Sequence, residues 1–246
     1  MIASPVTGIV LSAMPIGEYD KRLVILTKER GKITAFAKGA RKPNSAFLAC
    51  SQPFSFGEFM LYEGRNSYNI VSVDISNYFE ELRKDLEAAY YGLYFCELAD
   101  YFTNENEDST EILKLLYQSL RALSQETIGK QLVRRIYELK ILTLNGEAPE
   151  VFQCVSCKST NDCLYFNSSA GGIVCKVCAK TNTNLIKVSD STIYTMQYII
   201  TSTIEKLYTF TVSNEVLYEL QKCMESYKIL YVDRKMKSLE LLEKLF

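Results

Sequence analysis

The sequence predicts an α+β chain: a five-stranded OB-type β-barrel at the N-terminus, then an α-helical domain that carries an inserted four-cysteine zinc ribbon. Three observations lead there. Five short β-rich runs punctuated by glycine turns fill the chain up to Ile75. Beyond it apolar residues recur at threes and fours, the helical period. Two CxxC pairs then interrupt the helical pattern with 17 residues between them.

The strands are residues 7–14 (TGIVLSAM), 22–27 (RLVILT), 32–38 (KITAFAK), 56–62 and 68–75. The third alternates, with Ile33, Ala35 and Ala37 on one face and Thr34, Phe36 and Lys38 on the other. Turns are expected at 28–31 (KERG) and 63–66 (EGRN). A meander of this kind is a frequent single-strand-binding scaffold. Its loop from Gly39 to Ser45 is basic and broken by Gly and Pro, so it would present Arg41 and Lys42 to phosphates with Ser45 as a hydrogen-bond partner. Phe36 and Tyr68 read either as stacking platforms or as barrel core.

Residues 78–102 read as one helix, with Leu82, Leu86, Ala89, Leu93 and Leu98 inward. An acidic loop at 104–108 ends it. Asp108 and Glu111 then resemble a capping box opening a helix that buries Ile112, Leu115, Leu116 and Leu120. Residues 127–145 form the next helix, closed by Asn145-Gly146. After the cysteines, Ser189 or Asp190 caps a further helix, followed by segments at 214–230 and 234–246. The expected domains are therefore 1–77 (barrel), 78–152 with 185–246 (one helical bundle), and 153–184 (ribbon).

Cys154 with Cys157 and Cys175 with Cys178 have the spacing of a four-thiolate zinc site, in which each CxxC turn lends two sulfurs to one metal. Between them, 164–166 reads as a strand and 170–172 as a turn, the shape of a zinc ribbon. Nothing after Met1 resembles an export signal, which argues against disulfides and for a cytoplasmic protein. The same ligands would serve iron, and Cys163 lies between the pairs at a spacing that suits neither. With no histidine to support an open coordination position, the site reads as structural Zn2+.

Absent histidines also exclude Ser-His-Asp, Cys-His and HExxH chemistry, and neither a GxxxxGK[ST] nor a GxGxxG phosphate loop is present. No apolar run is long enough to span a membrane. The net charge of −1 conceals a division: residues 1–50 carry eight basic against three acidic side chains, and residues 51–153 nine against seventeen. Basic excess confined to one segment is how a phosphate-binding face is encoded in a neutral protein.

The stretch from Gly8 to Ile70 resembles the amino-terminal barrel of the RecO family. The resemblance rests on Gly17 and Asp20 before the second strand, LTKERGK at 26–32 and AKGARKPNS at 37–45. It also rests on four cysteines following three helices and on Lys237-Ser238-Leu239 near the C-terminus. It implies a non-enzymatic mediator of recombinational repair that binds single- and double-stranded DNA and anneals complementary strands. The implied partners are RecR, the C-terminal tail of SSB, and RecA, whose loading on SSB-coated DNA it assists at the nucleoid. It places the DNA face at Arg22, Lys32, Lys38, Arg41 and Lys42, and makes the zinc a support of the fold. Arg121, Arg134 or Arg135 would meet the acidic SSB tail, against the plainer reading of surface salt bridges. The alternative function is a zinc-ribbon adaptor that binds protein alone.

Overall fold

A computed structural model of the chain describes residues 3–64, 67–125 and 127–246. Two units result, Met1–Ser124 with Met236–Phe246, and Gln125–Lys235.

In the first unit, β1 (Ser4–Ile16), β2 (Asp20–Thr27), β3 (Gly31–Ala37), β4 (Phe56–Glu63) and β5 (Tyr68–Asn77) close into a barrel of order β1-β2-β3-β5-β4. Closure depends on the length of β1. Its first half pairs with β4 from Ser4↔Leu61 to Ile9↔Phe56, and its second half with β2 as far as Ile16↔Asp20, with a bulge between Val10 and Ser12 where the strand bends. A short parallel seam, Ala35↔Tyr68 and Phe36↔Asn69, joins β3 to β5. The alternation read in β3 is the observed one, and Ile33, Ala35 and Ala37 point inward with Val6, Val10, Leu23, Ile25, Phe59 and Leu61. Each large aliphatic or aromatic side chain so buried contributes about 1.5–3 kcal/mol. Tyr68 belongs to this core, and Arg30 donates to its hydroxyl at 3.2 Å. The turn expected at 63–66 lies partly outside the described residues, at Arg65 and Asn66.

The helix expected over 78–102 is two helices, α1 (Glu80–Lys84) and α2 (Leu86–Phe102). Asp85 breaks it: its backbone is extended, and its carboxylate accepts the Ala88 amide at 3.1 Å, the action of an N-cap. In α3 (Thr110–Ser124) the helical bonding begins one residue later than the capping-box reading, from the Ser109 carbonyl, while Asp108 accepts the Thr110 amide. The last helix, α7 (Lys237–Leu245), packs in this unit, with the Ser238 amide donating to Glu97 of α2 at 3.2 Å.

The second unit contains α4 (Lys130–Leu144), α5 (Asp190–Thr201), α6 (Asn214–Lys228) and a three-stranded sheet β7-β6-β8 made of β6 (Tyr165–Asn167), β7 (Gly172–Val174) and β8 (Ile186–Lys187). The helices expected to form one bundle are thus divided between the two units. Ser189 is the cap of α5, donating its place to Asp190 as the first helical residue. The ribbon is keyed to the helices by Phe166 of β6, whose ring meets Tyr227 of α6 edge-on at 5.7 Å, both fully buried. At Gly172 a Cβ would stand 2.1 Å from the Glu150 carbonyl oxygen, so only glycine lets the 150 segment bond across to β7.

Candidate nucleic-acid interface and metal centre

One end of the barrel gathers most of the basic residues singled out above. Arg22 lies at the start of β2, in register between Met14 of β1 and Phe36 of β3. The segment after β3 brings Lys38, Arg41, Lys42 and Ser45 to the same end, beside the β1–β2 turn Gly17-Glu18-Tyr19. Both loops are held by specific bonds. Gly39, at φ +68°, gives its amide to Asp20 at 2.7 Å. The Arg41 amide bonds the Tyr19 carbonyl at 2.8 Å, and its guanidinium donates to the Glu18 carbonyl at 3.1 Å. The Lys42 ammonium lies 5.4 Å from the centre of the Tyr19 ring.

Arg22, Lys38, Arg41 and Lys42 are exposed, and among the described residues no carboxylate lies within ion-pairing distance of them. Ser45 is half-buried, and its hydroxyl accepts the Phe47 amide. Lys21 faces inward and donates to the Ser51 carbonyl at 3.0 Å, burial lowering its pKa below the usual lysine value. Lys32 is at the opposite end of β3, ion-paired with Asp100 of α2 at 3.2 Å. It therefore fastens the barrel to α2, and does not stand with the other cations. Phe36 lies half-buried on the outer face, whereas Tyr68 is core. The sequence reading missed Tyr19, which is 44% exposed at the hairpin tip. An aromatic directly after a glycine turn, next to a cluster of cations, was the available signal.

The four cysteines form the second site. The sulfurs of Cys154, Cys157, Cys175 and Cys178 all lie within 4.8 Å of one another, and Cys157 and Cys175 approach to 3.7 Å. A tetrahedron with metal–sulfur bonds of ~2.3 Å has edges of about 3.8 Å, so the donor set fits a thiolate-bound metal ion. Two backbone knuckles produce it: the Lys158 amide returns to the Cys154 carbonyl and the Ala179 amide to Cys175, both at 2.9 Å. Burial pushes the Cys154 thiol up, but the amides of Cys175, Cys157 and Ser156 outweigh it and bring it down to about 6. The Cys178 amide lowers Cys175 in the same way. Cys178, hydrogen-bonded to the Cys157 and Cys175 sulfurs, is pushed up to about 12. Cys163 is not in the cluster and gives its S–H to the Ser159 carbonyl.

Arg134 and Arg135 are not surface residues. Both are buried on α4 around the fully buried Glu138, at 3.1 and 2.9 Å, and Lys228 of α6 completes the group at 3.0 Å. Arg121 is exposed on α3. Among the described residues no helix is long and apolar enough to cross a membrane.

Comparison with known proteins matches the chain in two parts that meet just after β5. The family described as recombination protein O N terminal matches residues 1–79, and recombination protein O C terminal matches residues 83–240. The DNA repair protein RecO of Acetivibrio thermocellus is 33% identical over 222 residues, 90% of this chain and 88% of its own. That of Alkaliphilus metalliredigens is 33% identical over 240 residues, 97% of this chain and 98% of its own. The Clostridium novyi protein of the same name is 32% identical over 235 residues, 95% and 91% of the two chains.

Proposed function

This chain is a member of the RecO family of DNA repair proteins, and from that premise we propose that its barrel binds and anneals single-stranded DNA. The observation that supports the reading is the unpaired cation cluster at the β1–β2 end of the barrel. Arg22, Lys38, Arg41 and Lys42 form the phosphate-binding face, with Ser45 as a neighbouring donor. Lys32 is withdrawn from it because Asp100 holds its ammonium.

The mechanism is electrostatic. Strands brought to this face exchange condensed counterions for fixed cations, so their mutual repulsion falls and complementary bases can meet. No bond is made or broken, and the activity is mediation, not enzymatic turnover. In this division of work residues 1–77 bind DNA, and residues 78–152 with 185–246 offer the helical surfaces for RecR and the SSB tail. Arg121 is the exposed arginine available for the tail's carboxylates. RecA is served indirectly, by clearing SSB from the strand, in the cytoplasm at the nucleoid. Zn2+ is the metal we assign to Cys154, Cys157, Cys175 and Cys178, holding residues 153–184 in shape away from the DNA chemistry.

The test is annealing of two complementary oligonucleotides, each coated with SSB, with and without the protein. Acceleration without a nucleotide cofactor is the expected result. If bare strands anneal and coated strands do not, the SSB contact falls. Failure of both at low salt overturns the DNA role and leaves a protein-only adaptor.

A further inference from the structure

Resting on the DNA-binding reading above, we propose that the tip of the β1–β2 hairpin is a base-stacking subsite, with Tyr19 as its platform, that makes the barrel select unpaired strands over duplex.

A face that only neutralises phosphates needs cations and can bury its apolar side chains. This one has the cations and leaves apolar side chains exposed beside them. Met14, Ile16, Tyr19 and Leu48 are all large apolar side chains left exposed at the end of the barrel that carries Arg22, Lys38, Arg41 and Lys42, with Met14 at 55%. Strand register orders part of this surface. Met14, Arg22 and Phe36 lie opposite one another across β1, β2 and β3, so an apolar side chain, a guanidinium and a half-buried aromatic ring form one row on the outer face. The Arg22 guanidinium reaches the Met14 sulfur at 3.8 Å.

Tyr19 is positioned before any ligand arrives. Its carbonyl is held by the Arg41 amide, the carbonyls of Gly17 and Glu18 receive the Arg41 guanidinium, and the Lys42 ammonium lies over its ring. The Tyr19 side chain is hydrogen-bonded to Glu18 and has one cation, Lys42, against its ring. An aromatic ring beside cations is the arrangement by which single-strand binders hold a base and its phosphate together, and it is tolerant of sequence because every base has a π-face. Bases in a duplex are already stacked on their neighbours, so the ring would contribute only to unpaired strands. The cations would then attract either form, and the hairpin tip would discriminate between them.

The chain contains no tryptophan, so Tyr19→Trp places one reporter at the tip of the full-length protein. It is titrated with an oligothymidylate of about 16 nucleotides, the upper end of what one OB barrel covers, and with the same strand paired to oligoadenylate. Anisotropy of labelled DNA reports binding itself. Quenching by the single strand and not by the duplex is the expected outcome. Tyr19→Leu should lower the preference for single strand over duplex roughly tenfold, and Tyr19→Phe should retain it. Binding without quenching, equal quenching by both forms, or a Tyr19→Leu protein with unchanged preference overturns the stacking subsite and leaves the DNA-binding reading standing. No binding to either form at low salt overturns that reading, and the subsite with it.

Discussion

The carboxylate of Asp20 accepts the amide of Gly39 at 2.7 Å, tying the start of β2 to the start of the basic loop. Asp20 is, with Glu18, an acid among the cations there, and its effect on DNA binding has two opposite parts. Its charge repels phosphate, while its hydrogen bond positions Lys38, Arg41 and Lys42. Asp20→Asn keeps an oxygen to accept the Gly39 amide and removes only the charge, whereas Asp20→Ala removes both. We expect tighter binding by Asp20→Asn and, despite the same loss of a negative charge, weaker binding by Asp20→Ala, measured by anisotropy at fixed salt. Tighter binding by Asp20→Ala would show that the loop needs no anchor.

Replacing Arg41 and Lys42 together with alanine should weaken binding evenly across sequences. It should also flatten the plot of log K against log salt by about 1.4, from two lost single-strand phosphate contacts at ~0.7 each. Lys32→Ala is the contrasting variant. It should lower the melting temperature, because the Lys32–Asp100 ion pair is lost, and leave the salt slope as it was.

For the metal centre, Cys175→Ser should reduce bound zinc, measured by elemental analysis, and lower the melting temperature before it changes DNA affinity per folded molecule. A zinc-free variant with an unchanged melting curve would separate the cysteines from stability.

Glu138 is the hub of a buried ionic group, and its loss strands the charges around it. Glu138→Gln should cost about 3–5 kcal/mol, read as a shift of the urea midpoint for the second unit, because the buried charge shared by Arg134, Arg135 and Lys228 is lost, although Arg135 keeps Glu225 at 3.2 Å. A shift below about 1 kcal/mol would indicate that water reaches the group.

Glu219 predicts a pH dependence. Burial alone would raise its pKa, but the Ser189 amide, the Thr192 and Ser189 hydroxyls and Lys187 outweigh it, and the net shift is downward. A carboxylate depressed in the folded state contributes stability above its unfolded pKa of ~4.3, and that contribution disappears as pH falls through the folded value. Glu219→Gln should therefore destabilise at neutral pH and flatten the acid limb of the stability profile. An acid limb parallel to wild type would assign the loss to other carboxylates.

What the sequence disclosed and what it concealed have physical reasons. The five strands were legible because alternation and glycine turns are local, and the cysteines because a metal fixes ligand spacing. The break at Asp85 was hidden because leucine periodicity continues across it. Arg134 and Arg135 were misplaced because the residue type says surface, whereas a carboxylate one turn along the same helix neutralises them inside. Periodicity gives a helix its face but not its partner, so the assignment of α7 to the first unit could not be read in advance. Lys32 and Lys38 look alike on paper, and only the three-dimensional position of Asp100 separates them.

That placement of α7 bears on how the protein is made. On the ribosome, the side of α2 that α7 covers stays bare while Gln125–Lys235 is synthesised, an interval on the order of ten seconds at ~5–20 residues per second. The barrel can close in that time, but its unit is finished only after the second unit has emerged. During the delay the nascent chain presents an apolar helix face to chaperones, and a stalled or truncated product would carry that exposed face as a signal for degradation.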